Sequence, residues 1–327
     1  MQVIVTADIG GTHARFALAR LDGGRVTSLS EPVTLQTAGY ATFPNAWREF
    51  ERRSGGEMPR DLVIAFAGPV GGEMLKLTNN PWQIRREQIR DELGLEKLTI
   101  VNDFAAVAHA VAMCEASELH HLCGPDVPLP DKGVISIIGP GTGLGVAALV
   151  RKASEPYEVV ETEGGHIDFA PVDPLEDRLL VELRGRFRRV SVERIISGPG
   201  LANIYDLLGL VEGQKLTIRD ERALWAAAIE GSDALAVQAL ERFCLSFGSI
   251  CGDLALAHGA VAVVIGGGVG LLLKDKIGQS GFRDRFVAKG RFERRMSEIP
   301  VKLLANKEAG LFGAAVAFAQ EHCRRAG

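Results

Sequence analysis

The sequence predicts an α/β protein built in layers, and three observations carry that prediction. Apolar, β-compatible runs alternate with helical patterns along the chain. Several of those runs end in glycine turns. Two of the turns, in different halves, share one form: an apolar strand, a glycine turn holding a threonine, and a second apolar strand. They are Ala7-Asp-Ile-Gly-Gly-Thr12 and Ile138-Gly-Pro-Gly-Thr-Gly143, a duplicated device rather than a strict repeat.

The elements follow in order. Residues 3–7, 14–20 and 25–29 are expected to be consecutive strands, separated by the hairpin signals Gly10-Gly11 and Asp22-Gly23-Gly24. A helix is expected near 40–53. The buried strand 62–67, a Gly/Pro loop, a short strand 74–77 and a helix near 85–93 come next. Residues 98–101 read as a buried strand that passes through Asn102-Asp103 into an apolar helix ending at Met113. The Pro/Gly-rich stretch 123–133 reads as a separator of two lobes. Beyond it, strands 134–138 and 146–150 flank the turn 139–145, and 158–162 is a further strand. Helices are expected at about 174–186, 200–208, 221–229 and 233–258. The strand 260–265 ends in Gly266-Gly267-Gly268, and a helix near 307–320 closes the chain.

Composition narrows the function classes. With 327 residues, 46% of them hydrophobic, the chain has material for roughly two domains. Its net charge of −4 is spread without a basic stripe, so no nucleic-acid partner is expected. The densest basic run, Arg184-Gly-Arg-Phe-Arg-Arg189, reads as a solvated helix end. The longest apolar runs, such as 259–265, have strand length, and no membrane span is expected. The N-terminus has no basic leader and reaches Asp8 at once, which argues against a signal peptide. Five cysteines form no C-x-x-C pair, and Cys114, Cys244 and Cys251 sit in helical apolar patterns. Reduced thiols in a cytoplasmic protein are the expectation. His120-His121-Leu-Cys123 reads as a surface turn, because no fourth zinc ligand lies at ordinary spacing.

The glycine turns suggest phosphate. Without a Cβ, glycine lets a ligand approach the backbone and lets successive N–H groups point one way. Either turn alone is explained as a hairpin. Two turns together, with Gly266–Gly268 after a third buried strand, favour a nucleotide. The chain has no G-x-x-x-x-G-K-[ST] P-loop. Gly139–Gly145 misses G-x-G-x-x-G by one register and leads into a strand, where a dinucleotide fingerprint needs a helix. H-R-D and D-F-G signatures are absent. Asp8, at the end of the first strand, either caps its turn or holds Mg²⁺ beside phosphate oxygens, directly or through water.

Polar residues at the strand ends suggest the acceptor. Asn and Asp are favoured helix caps, but one cap needs one residue. Of the pair Asn102-Asp103, one member is therefore left for chemistry, and an Asp near a nucleotide clamp suits the base role in phosphoryl transfer. Glu163-Gly-Gly-His166 puts a carboxylate and an imidazole on one loop, and Glu193 precedes the turn Ser197-Gly-Pro-Gly. Carboxylates that accept hydrogen bonds from neighbouring hydroxyls suit a neutral polyol.

The sequence closely resembles the proteobacterial-type glucokinases, ATP-dependent hexokinase relatives in the actin/hexokinase/Hsp70 ATPase superfamily. The matching stretches run in order across nearly the whole chain. They are Asp8-Ile-Gly-Gly-Thr-His-Ala-Arg15, Thr78-Asn-Asn-Pro-Trp82, Val101-Asn-Asp-Phe-Ala-Ala-Val107, Gly141-Thr-Gly-Leu-Gly-Val146, Glu163 to Pro171, Glu193 to Leu201, and Ser280-Gly-Phe…Lys289-Gly-Arg-Phe292.

The resemblance implies a two-lobed actin-like ATPase (ribonuclease H-like) fold with a central cleft that closes on glucose. Residues 1–110 plus 305–327 would form a small α/β domain and 111–304 a large one. The implied reaction is ATP-dependent phosphorylation of D-glucose at the 6-hydroxyl. Asp103 would be the base, and Asn102, Asp103, Glu163, His166 and Glu193 would bind the sugar. Ala7, Asp8, Ile9, Gly10, Gly11 and Thr12 would hold phosphates with Gly139, Gly141, Thr142 and Gly143, and Gly266, Gly267 and Gly268 would border the adenosine. The family implies a homodimer. His13 stands where the family generally has Asn, and Pro140 where a small residue is usual; both bear on the phosphate-donor site. The cysteine-rich zinc motif of ROK-type sugar kinases is missing, as is an N-terminal helix-turn-helix. A kinase for another hexose, and a non-catalytic sugar sensor or actin-like assembly protein on the same fold, stand as the rival expectations.

Overall fold

The computed structural model describes residues 1–323 apart from Thr78, Asn79, Pro81 and Ser154. It divides into two compact units: Met1–Cys114 with the chain from Asn306 onward, and Glu115–Ala305. The stretch 123–133, expected to separate the lobes, therefore lies inside the second unit. It is a loop inside that unit, pinned at its start by Gly124, which sits so close under the Ile299 carbonyl that a Cβ would collide with it.

The first unit is built on a twisted mixed sheet. β1 (Gln2–Ile9) and β2 (His13–Asp22) form an antiparallel hairpin, and β3 (Arg25–Leu29) and β4 (Val33–Gln36) both pair with β2. On the other side β1 runs parallel to β5 (Asp61–Phe66). β6 (Met74–Lys76) and β7 (Gln83–Arg85) make a separate ribbon. β8 (Lys97–Asn102) completes the order β3-β2-β1-β5-β8. Alternation along β1 explains the two faces. Val5, Ala7 and Ile9 join Phe16, Phe43, Trp47, Phe50 and Trp82 on one side. Ile4 joins Ala106, Ala314, Ala315 and Phe318 on the other. That second face is covered by helices Asp103–Met113 and Ala309–His322. They touch at Gly313, where any Cβ would overlap the Ala106 carbonyl. Glycine is thus what lets two alanine-rich helices pack backbone to backbone.

The second unit repeats the plan. β9 (Leu119–Cys123), β10 (Gly133–Pro140), β11 (Leu144–Lys152), β12 (Glu155–Thr162), β13 (Ala262–Ile265) and β14 (Val301–Leu304) lie in the order β12-β11-β10-β13-β14-β9. β10, β11 and β12 are an antiparallel meander, as β1, β2 and β3 are. β13 and β14 then extend β10 in parallel, as β5 and β8 extend β1. The two threonine-bearing turns occupy the same place in the two sheets.

Several expectations need correction. His120-His121-Leu-Cys123 is not a turn but β9, an edge strand paired antiparallel with β14. β14 escaped notice because Lys302 interrupts a four-residue apolar run. That lysine is buried, its Nζ 3.1 Å from Asp126 Oδ1. Gly139 and Gly145 are not in the turn either. They pair with each other inside β10 and β11, which leaves Gly141–Gly143 as the turn proper. The helix Ala234–Ala257 is long and apolar enough to cross a membrane, but 67% of its most apolar window is buried inside the unit. Phe243, Phe247 and Cys251 line its core side. Gly248 and Gly252 bring it against the backbone of Phe282 and Phe286, and Lys289 Nζ donates to the Ser249 carbonyl at 2.9 Å. The 280–292 motif is therefore a packing motif. The basic run at 184–189 is exposed at a helix end, as expected.

Candidate active site

In the first unit the β1–β2 turn is shaped by bonds to its carbonyls. Thr37 Oγ1 donates to the Gly11 carbonyl at 2.7 Å and Asn80 Nδ2 to the same oxygen at 3.4 Å. The Thr37 N–H donates to the Thr12 carbonyl at 3.0 Å. A trans peptide sets C=O and N–H on opposite sides. Tying back the Gly11 carbonyl thus aims the Thr12 N–H the other way. Ala7 and Ile9 are fully buried core residues of β1, so only their backbone is available to a ligand. Between them, Asp8 is part-buried. Arg15, its cross-strand partner, lies 3.9 Å away and forms an ion pair with Glu308. Burial pushes the Asp8 carboxyl above the usual carboxylate range; Arg15 opposes that rise and Glu308 adds to it. Gly310 packs closely on this carboxylate, since a Cβ there would lie 2.8 Å from Asp8 Oδ2. His13 is the first residue of β2, paired with Gln36.

At the end of β8 the roles of the Asn-Asp pair separate. Asn102 is the cap of helix Asp103–Met113: its Oδ1 accepts from Phe104 N at 2.9 Å and Ala105 N at 3.1 Å. Its Nδ2 donates to the Gly68 carbonyl at 3.3 Å. Asp103 is the first helical residue, and its Oδ1 accepts from Phe104 N at 2.9 Å. A carboxylate in this first turn is well placed against the helix dipole. Of the motif at 78–82, Thr78, Asn79 and Pro81 lie outside the described residues. Trp82 is buried and its Nε1 donates to the Tyr40 carbonyl at 2.8 Å.

In the second unit the Gly141–Gly143 turn and the polar loops are bonded to each other. Gly141 N donates to the Gly143 carbonyl at 2.8 Å, and Gly198 N to the Gly141 carbonyl at 2.7 Å. The second bond aims the Thr142 N–H away, as the Gly11 bonds do for Thr12. Glu193 Oε2 accepts from Leu144 N at 3.0 Å. Glu163 precedes and His166 ends the 3-10 turn Gly164–His166, both more than half exposed, with 3.9 Å between His166 Nε2 and Glu163 Oε2. Val192 N donates to the Ile167 carbonyl at 2.9 Å, which joins the Glu163 loop to the Glu193 segment. Gly266 N donates to the Ile138 carbonyl at 3.0 Å. Gly267 has φ +79° and packs on β10, where a Cβ would lie 2.7 Å from the Pro140 carbonyl. Gly268 is open. Pro140 is buried at the end of β10, paired with Leu144.

Four contributors went unread in the sequence. Arg15 and Glu308 bracket Asp8, Thr37 orients the first turn, and Glu221 packs on Gly198, its carboxyl raised by burial and then by Asp220. Only Arg15 had a visible signal, at the end of Asp8–Arg15. The others are set by contacts distant in sequence.

Two copies of one mixed-sheet plan, each with a threonine-bearing turn between its first two strands, define an actin-like ATPase fold of the sugar-kinase kind. The glucokinase family model matches residues 5–321, and the chain belongs to the glucokinase family. It is 57% identical over 319 residues to the glucokinase of Zymomonas mobilis, covering 98% of each chain. Its structure is similar to that of glucokinase from an Antarctic psychrotroph, with TM-score 0.82 and 32% identity over 98% of this chain and 99% of that one. The fold also matches a ROK family glucokinase from Streptomyces griseus in complex with glucose and AMPPNP, with TM-score 0.65 and 20% identity over 98% and 100% of the two chains.

Proposed function

We infer that this protein transfers the terminal phosphoryl group of ATP to the 6-hydroxyl of glucose, giving glucose 6-phosphate and ADP. The observation that carries the reading is the division of labour at the end of β8. Asn102 caps the helix, and Asp103 places a second acceptor at the same strand end, in a chain of the glucokinase family. Asp103 takes the 6-hydroxyl proton as that oxygen attacks phosphorus, and the ADP oxygen leaves on the opposite side. Asn102, Glu163, His166 and Glu193 hold the other hydroxyls. The Gly10–Thr12 and Gly141–Gly143 turns present the Thr12 and Thr142 N–H groups to the phosphates, while Gly10 N and Gly141 N are bonded within their own turns, and Gly266–Gly268 border the adenosine. The presence of glucose and AMPPNP together in the Streptomyces griseus enzyme supports this pairing of ligands. Purified protein should release ADP from ATP in the presence of glucose, and far more slowly with mannose, fructose or N-acetylglucosamine. A coupled assay that finds another sugar preferred would reassign the acceptor.

We further propose that Mg²⁺ accompanies ATP at Asp8. Its hard carboxylate oxygens suit that ion. Among the described residues no group of three His, Cys, Asp or Glu converges, so phosphate and water oxygens would complete the coordination. Mg²⁺ would neutralise charge on the transferred phosphoryl group. A carboxyl raised on folding binds its proton more tightly folded than unfolded. Its contribution is stabilising below the unfolded value, about 3.9, and is lost as pH rises through the folded value. At neutral pH the Asp8 charge is a cost to the fold. Asp8→Asn is therefore expected to gain about 1 kcal/mol in stability while turnover collapses. Calorimetry at pH 7 checks this; a lower Tm would mean the Arg15 pairing outweighs burial. A cytoplasmic homodimer is the assembly we propose, on the family resemblance and on five cysteines outside disulfides, which fit a reducing compartment.

A further inference from the structure

We propose that Glu193 is a positioning residue for the phosphate turn as well as a sugar contact, so that sugar and nucleotide binding are coupled through the backbone of Leu144. The proposal rests on the glucose-kinase reading of this site and adds a link between its two ligands. Leu144 is the first residue after the Gly141–Gly143 turn. Its N–H donates to Glu193 Oε2 at 3.0 Å. Its carbonyl lies against Gly165, in the loop of Glu163 and His166, so closely that a Cβ at Gly165 would overlap it. Gly143 is likewise pressed against the Glu193 carboxylate. The segment that carries Glu193 also holds the other end of the turn, because Gly198 N donates to the Gly141 carbonyl at 2.7 Å. The turn is thus clamped at both ends by residues 193–198 and backed by the loop 163–167.

A carboxylate offers about four acceptor sites on two oxygens. Accepting the Leu144 N–H through Oε2 leaves capacity for a sugar hydroxyl. A sugar bound there fixes the carboxylate, the carboxylate fixes Leu144, and the turn keeps its Thr142 N–H aimed for phosphate. The coupling is reciprocal, as any equilibrium linkage must be. An ordering cost met by the first ligand is not met again by the second.

The test compares Glu193→Gln with Glu193→Ala, after thermal melts establish that both are folded. Titration calorimetry measures glucose affinity with and without AMPPNP, and steady-state kinetics gives KM for both substrates. Wild type should bind glucose several-fold more tightly with AMPPNP present. Glu193→Gln keeps an acceptor for Leu144 N–H but loses the charge. It should weaken glucose while leaving KM for ATP within about threefold. Glu193→Ala should raise both KM values about tenfold or more and bring the coupling factor to one. Glu193→Ala with weakened glucose but normal KM for ATP and normal coupling would overturn the proposal and leave the sugar role standing. Unchanged KM values for both substrates would instead remove Glu193 from the sugar site itself.

Discussion

Asp103→Ala is expected to lower kcat by a factor on the order of 10²–10⁴, the usual worth of a general base, in a protein that remains folded. Folding should survive because the helix cap is Asn102: its Oδ1 receives the Phe104 and Ala105 N–H groups, and the substitution leaves it in place. Glucose binding should weaken less than turnover, since the proposed sugar contacts Asn102, Glu163, His166 and Glu193 are untouched. Steady-state kinetics beside a thermal melt separates the two effects. A variant within about threefold of wild type in kcat would take Asp103 out of the base role. Asn102→Ala should behave in the opposite way. It removes the cap and costs about 1 kcal/mol in stability, besides any loss at the sugar.

Gly165→Ala is the second large effect. The new Cβ would meet the Leu144 carbonyl, a backbone atom that cannot swing aside. Relief requires the Glu163 loop and the Gly141–Gly143 turn to move apart. Misplacement of about 1 Å can cost on the order of 10²-fold in rate, and here both proposed ligand sites would shift together. We expect kcat/KM to fall at least that far for glucose and for ATP alike. Gly185→Ala is the matched control, since its Cβ would meet nothing within 4 Å and it lies in the helix Pro174–Arg186. It should leave kinetics unchanged. If Gly165→Ala behaves like that control, the close contact does not hold the two loops in place.

Much of this was legible from local pattern. The hairpin signal Gly10-Gly11 fell between β1 and β2, and the apolar runs ending at Ile265 and at Asn102 became β13 and β8. The expectation that one member of Asn102-Asp103 would cap the helix proved right, and the structure identifies it as Asn102. What escaped was decided by partners far away in the chain. β9 and β14 are short strands that exist because they pair with each other, 180 residues apart, and Lys302 hides one of them. Gly139 and Gly145 looked like turn residues because glycine signals a turn on sequence alone. Their places in β10 and β11 follow from a hairpin that closes between them, at Gly141–Gly143. The separation of the units at Cys114 and Ala305 has no composition shift to mark it, whereas the Pro/Gly stretch at 123–133 does and misleads. Gly165 and Glu193 were visible as residue types, but the bond and contact they make to Leu144 were not.

The central claim is phosphoryl transfer to one particular oxygen, and the product tests it most directly. The protein should be incubated with ATP, Mg²⁺ and glucose labelled with ¹³C at C6, and followed by ³¹P and ¹³C NMR. A single phosphate ester coupled to the labelled carbon, formed in step with ADP, is the expected product. A phosphate on the anomeric oxygen, or ADP that appears at the same rate without sugar, would contradict it.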